Sequence, residues 1–209
     1  MGTQLQARGL KPGECPEDWN IERPDDIAAV HRAYVEAGAE IVYANTFGAN
    51  ALKYHGRHRL DEVIRAGVSL AKRSGARVAL DIGPTGRLLK PAGDLDFEAA
   101  YDCFAEMVRI GAEAGADLVV IETMGDVFEL KAAVLAAKET CDLPIFATVA
   151  LGTDGKLLCR VRQRGSGTGS VRDDLQVVPG VAVTLWATNL IRRVSGKEFN
   201  RRAIRQRER

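Results

Sequence analysis

The chain has 209 residues, 46% hydrophobic and 27% charged, with a formal net charge of +1. That is the composition of an ordinary globular domain, which excludes a collagen, a disordered chain and a disulfide-dense mini-protein. The small net charge hides a split: residues 1–158 carry 17 Lys and Arg against 24 Asp and Glu, a net −7, and residues 159–209 carry 12 against 4, a net +8. No apolar run approaches the ~18 residues a membrane span needs, and Met1 to Gln6 are too polar for a signal peptide.

The first 158 residues alternate two periodicities. Pro24-Asp25-Asp26 opens a helix, with acids suited to its N-terminus. Ile27, Val30, Tyr34 and Ala37 mark its inner face and Gly38 ends it. Glu40 to Ala44 is a short apolar run of the kind found in a parallel strand buried on both faces. A helix from about Arg59 to Ser74 and a strand over Arg77–Ile82 follow. The clearest helix carries Phe97, Ala100, Tyr101, Phe104, Met107, Val108, Gly111 and Ala112 on one face and stops at Gly115. Leu118–Ile121 reads as a strand. Asp126 with Glu129 resembles a capping pair for a helix whose inner face is Leu130, Ala133, Val134 and Ala137. Pro144–Val149 is the fourth strand. Regular alternation at this pitch predicts an α/β fold: a parallel sheet with right-handed crossovers.

The four cysteines, Cys15, Cys103, Cys141 and Cys159, include no Cys-x-x-Cys pair. They read as free thiols of a reducing compartment, which places the protein in the cytoplasm. His55 and His58 are three apart, but Gly56 between them argues against a helical metal pair.

An internal repeat identifies the functional end of the sheet. Glu36-Ala-Gly-Ala-Glu40-Ile-Val-Tyr-Ala-Asn45-Thr46 matches Glu113-Ala-Gly-Ala-Asp117-Leu-Val-Val-Ile-Glu122-Thr123 at an offset of 77 residues. Each copy places a polar residue and a Thr at a strand's C-terminal end, where a (β/α)8 barrel gathers its chemistry. Asp81, followed by Ile82-Gly83-Pro84-Thr85-Gly86, ends the strand between them. Asn45, Asp81 and Glu122 are therefore expected in one mouth.

Several motifs occur together. Met1-Gly2-Thr3 resembles the end of the Asp-Gly-Ala-Met-Gly-Thr opening of the homocysteine S-methyltransferase family. Ala44-Asn45-Thr46-Phe47-Gly48-Ala49-Asn50, Asp81-Ile82-Gly83-Pro84-Thr85-Gly86, Ile121-Glu122-Thr123-Met124 and the helix from Asp126 to Lys138 are similar to that family's motifs, in its order, over roughly residues 1–158. The resemblance is strongest to the homocysteine-binding module of methionine synthase and its stand-alone relatives. It implies a TIM barrel, here partial with about four βα units, that binds homocysteine and zinc and methylates the substrate sulfur to give methionine. Only the thiolate is a strong nucleophile, and zinc held by three cysteines lowers a bound thiol's pKa. The resemblance makes Glu122 the partner of the substrate ammonium and the backbone amides near Gly2 and Thr3 the partners of its carboxylate. Asn45, Asp81 and Thr123 complete the expected substrate site.

The sequence also departs from the family. The Asp-Gly-Ala before Met1 is absent, and after Leu158 the resemblance ends, before the family's Gly-x-Asn-Cys and Gly-Gly-Cys-Cys zinc motifs. No adjacent Cys pair occurs anywhere. The expectation is a truncated methyltransferase with no metal ligand and no catalytic residue to assign. Its methyl donor is left open, with methylcobalamin or methylated folate among those the family uses. Self-association through an incomplete barrel is also expected.

Residues 159–209 form a second segment, an irregular basic tail with 11 Arg and one Lys. It reads as a frameshifted or mis-joined frame, or as a disordered extension. A nucleic-acid arm is disfavoured, because Trp186 and Phe199 are its sole aromatics and no known module accompanies them. Val181–Trp186 is apolar and offers a strand without a supporting period. The alternative to an enzyme is a non-catalytic fragment that binds an amino acid or a partner.

Overall fold

The computed structural model describes residues 1–151 and 181–187. Three short segments open the chain: helix α1 (Gly2–Gln6), a 3-10 turn (Pro16–Asp18) and helix α2 (Trp19–Glu22). Four α-then-β units follow: α3 (Pro24–Glu36) with β1 (Ile41–Tyr43), α4 (Leu60–Lys72) with β2 (Arg77–Ile82), α5 (Phe97–Glu113) with β3 (Leu118–Met124), and α6 (Val127–Thr140) with β4 (Ile145–Leu151). The strands pair in parallel in chain order, and Val181–Ala187 adds a fifth, β5, beside β4. The expected partial barrel of four units is what folds. Within the tail read as irregular, Val181–Ala187 is the exception. An apolar run without a helical period suits a strand that pairs along its whole length. The boundary at residue 158 and the rest of the tail, with Cys159 and Phe199, lie outside the described residues.

The sheet has two differently used faces. Val42, Val78, Leu80, Ile82, Val119, Ile121, Ile145, Ala147 and Val149 point toward the helices and join Ile64, Val68, Phe104, Met107, Leu130 and Ala133 in the main core. Each Val, Leu, Ile, Phe or Met among them contributes roughly 1.5–3 kcal/mol when fully buried. Strand residues one step out of phase, Ile41, Ala79, Leu118 and Val120, form a second small cluster on the opposite face. That period of two turns one set of side chains toward the barrel axis.

Two helix faces differ from expectation. The inner face of α3 is Ile27, Val30 and His31, while Tyr34 is 50% exposed. His31 takes the inner place with its ring reaching the Tyr43 carbonyl, Nε2 3.1 Å from the oxygen, while Nδ1 has no hydrogen-bond partner among the described residues. At α6, Asp126 caps as expected, its carboxylate accepting from Phe128 N at 2.8 Å. Glu129 does not close the box. It is buried and accepts from the Thr85 amide (2.7 Å) and hydroxyl (2.6 Å). Two donors at a buried carboxylate outweigh one at the helix end.

Candidate functional site

Along the inner face, the residues that follow the Ile41, Ala79, Leu118 and Val120 cluster toward the strands' C-terminal ends are Tyr43, Asp81 and Glu122. Their electrostatics show that they converge. Burial pushes the Asp81 carboxyl well up, and the negative charge of Glu122 pushes it further. Tyr43 is raised by burial and then by both acids. Glu122 is half-buried and raised by burial. Asp81 is 6% exposed, and its Oδ1 has no hydrogen-bond partner among the described residues. Burial raises such a carboxyl because ionising it there costs more than in water.

Gly2 and Thr3 open α1 and are exposed. The amino nitrogen of Met1, which precedes α1, opposes the rise of both Asp81 and Glu122. The first-turn amides of a helix have no partner within it, which leaves the Gly2 and Thr3 N–H groups without an intrahelical acceptor.

Glu122 and Thr123 sit on an irregularity of β3. Ile121 pairs with Ala147 and Met124 with Val149, so two residues of β3 oppose the single Thr148 of β4. Thr123 has φ +62°, the one positive φ at a non-glycine among the described residues, and its amide donates to Thr148 Oγ1 at 3.3 Å. A β-branched residue in that region is strained and marks a place of constraint.

Asn45 is engaged in a hydrogen-bond set of its own. Its amide donates to Pro16 O (2.8 Å) and Asn20 Oδ1 (3.0 Å), and Asn20 donates back to Asn45 O (2.8 Å) and to Val63 O (3.0 Å). The side chain ties the opening 3-10 turn to the end of β1, with no bond to Asp81 or Glu122. Thr46, the strand-end Thr of the repeat that is not among the expected site residues, bonds the backbone of Asp81: its hydroxyl donates to Asp81 O (2.9 Å) and accepts from Asp81 N (3.1 Å). Glu17 accepts from Gly48 N at 2.7 Å, and a Cβ on Gly48 would lie 2.8 Å from that carboxylate. Asp18 accepts from the Tyr54 hydroxyl and the Arg57 amide. These buried acids and Glu129 hold the loops that frame the mouth. A signal existed for Glu129, which continues the inner stripe of α6 four residues before Ala133. None existed for Glu17, which lies in a segment too short to show a period.

The described residues do not make a zinc site. Cys103 is buried on α5 with its thiol toward Asn50 Oδ1 (3.7 Å), and Cys141 donates to Ala137 O (3.4 Å) at the end of α6. Cys15 precedes the 3-10 turn, and all three are free thiols. Among the described residues no three His, Cys, Asp or Glu side chains are grouped for a metal. His58 turns to Glu22 (3.2 Å) and His55 to the Lys53 carbonyl (2.9 Å), so the two do not act together. No helix of the described residues is long and apolar enough to cross a membrane.

The family model described as Homocysteine S-methyltransferase matches residues 1–170. The chain is 33% identical over 183 residues to the methionine synthase of Mycobacterium tuberculosis and 32% identical over 183 residues to that of Mycobacterium leprae. In each case the match covers 76% of this chain and 15% of the relative. The chain thus matches a small part of these curated relatives. Among solved structures, the oxidized form of the homocysteine methyltransferase MmuM from Escherichia coli superposes with a TM-score of 0.63 at 18% identity. It covers 75% of this chain and 73% of that one. The metallated form gives 0.63 at 17% identity, covering 75% and 74%. These two likenesses concern the fold.

Proposed function

The chain belongs to the homocysteine S-methyltransferase family, and from that premise we propose that its mouth binds homocysteine through the amino-acid end. Glu122 pairs with the ammonium. The Gly2 and Thr3 amides take the carboxylate, and Thr123 borders the pocket. Asp81 stays protonated beside Glu122, so that the two carboxyls carry one negative charge for one ammonium. Asn45 contributes by fixing the end of β1. The observation that carries this reading is the convergence of a half-buried Glu122 and an orphaned, buried Asp81 at the C-terminal ends of adjacent parallel strands.

In methyl transfer the thiolate sulfur attacks a methyl carbon, the carbon–donor bond breaks, and methionine leaves. The described residues supply the substrate grip for that step and no metal ligands. We therefore read the chain as written as a binding part that does not turn homocysteine over. The methyl donor is not assigned. The free thiols support a place in the reducing cytoplasm.

Calorimetric titration of the full chain with homocysteine tests the reading. Wild type binds. Glu122→Gln weakens affinity about 10- to 100-fold, the ~1.5–3 kcal/mol of a hydrogen bond to a charged group. Asp81→Asn, which keeps the neutral shape, binds within about threefold of wild type on that same scale. Equal affinity of wild type and Glu122→Gln overturns the assignment.

A further inference from the structure

In a regular strand the side chains alternate, and Ile121 and Met124 would point to opposite faces. Both are fully buried in the helix-side core. The bulge reconciles this: Glu122 and Thr123 together oppose Thr148, so Met124 returns to the core. The extra residue sets Glu122 and Thr123 in succession between two core residues of β3. Bulges of this kind re-aim a side chain next to a site.

An extra residue frees a backbone N–H from the ladder for a side chain or water to take. Thr148 Oγ1 is that partner for Thr123 N, at 3.3 Å. Thr148 is half-buried and stands on the inner face, between Ala147 and Val149, which point to the core. The positive φ of Thr123 is kept against its β-branched preference, so something local must compensate.

We propose that Thr148 is a positioning residue: its hydroxyl holds the β3 bulge at Thr123 and thereby aims Glu122 into the mouth. The proposal rests on the substrate reading above for its effect on binding, but its structural half stands alone. Thr148 need not touch the substrate. Its contribution is to hold the direction of the carboxylate that does.

The test uses Thr148→Val, which keeps the shape and removes the hydroxyl, and Thr148→Ser, which restores it. Affinity for homocysteine by calorimetry falls about tenfold in Thr148→Val, ~1.4 kcal/mol, and returns toward wild type in Thr148→Ser. Thermal midpoints are measured alongside. In parallel, the three-bond amide-to-α-proton coupling of Thr123, read by nuclear magnetic resonance on the full chain, moves in Thr148→Val and not in Thr148→Ser. Wild-type affinity in Thr148→Val, or an unchanged Thr123 coupling, overturns the proposal. So does a loss of affinity that Thr148→Ser fails to restore. A wild-type chain that shows no homocysteine binding overturns the substrate reading, and the Thr123 coupling then decides the positioning role by itself.

Discussion

Asp81 is the residue whose chemistry its surroundings change most. An unperturbed Asp titrates near 3.9. Burial, then Glu122, raises the carboxyl in the folded chain. A carboxyl with a raised folded pKa favours the fold most below its unfolded value. That contribution is lost as pH rises from about 3.9 toward the folded pKa, at ~1.4 kcal/mol for each unit of difference. Asp81→Asn removes the titration. Its thermal midpoint should match wild type near pH 4 and exceed it by a margin that grows as pH rises. Midpoints of both proteins from pH 4 to pH 8 measure this, and parallel curves would show that Asp81 is not held protonated. The site's acids were readable in the sequence because three strand ends in succession carry polar residues. Which of them face the mouth was not. Asn45 and Glu122 hold equivalent positions in the 77-residue repeat, yet Asn45 is occupied by Pro16 and Asn20. Those partners come from a segment with no period to read.

At the scale of elements, the close approach of α5 to β2 governs the sheet's cover. Gly111 lies where a Cβ would come within 2.5 Å of the Leu80 side chain, and Leu80 has no exposure. Alanine there gains about 1 kcal/mol of helix propensity, but overpacking a filled core costs about 1–3 kcal/mol. Gly111→Ala is expected to be net destabilising, by up to about 2 kcal/mol on those two figures. Chemical denaturation would read it as a lower midpoint, and a more stable variant would show that Leu80 has room to move. The inner faces of α5 and α6 were legible because long helices display their 3.6-residue period. The continuation of β3 to Met124 was not legible, since a bulge interrupts the period that would have extended the strand.

For the whole molecule, the arithmetic of thiols matters more than the net charge. The family resemblance calls for three cysteine ligands to zinc, and the chain has four cysteines. Three of them sit on α5, at the end of α6 and before the opening 3-10 turn, with no metal-binding group among the described residues. A three-cysteine site would therefore require the described fold to rearrange. Purified full chain is expected to hold well under one zinc per chain and to form no methionine from homocysteine with methylcobalamin or methylated folate. Elemental analysis with a methionine assay checks this, and one zinc per chain with turnover would refute it.

The sequence alone determined the alternation of helix and strand, the parallel sheet and the end of it that carries the polar residues. All three follow from local periodicity and from the handedness of the crossover. The tertiary structure decided the rest: that Asp81 and Glu122 share one low-dielectric corner, that the Asn45 side chain is tied to Pro16 and Asn20, and that Thr148 stands opposite the bulge at Thr123. It also decided that Val181–Ala187 pairs with β4. Each of these depends on contacts between residues far apart in the chain, and no local pattern encodes such contacts.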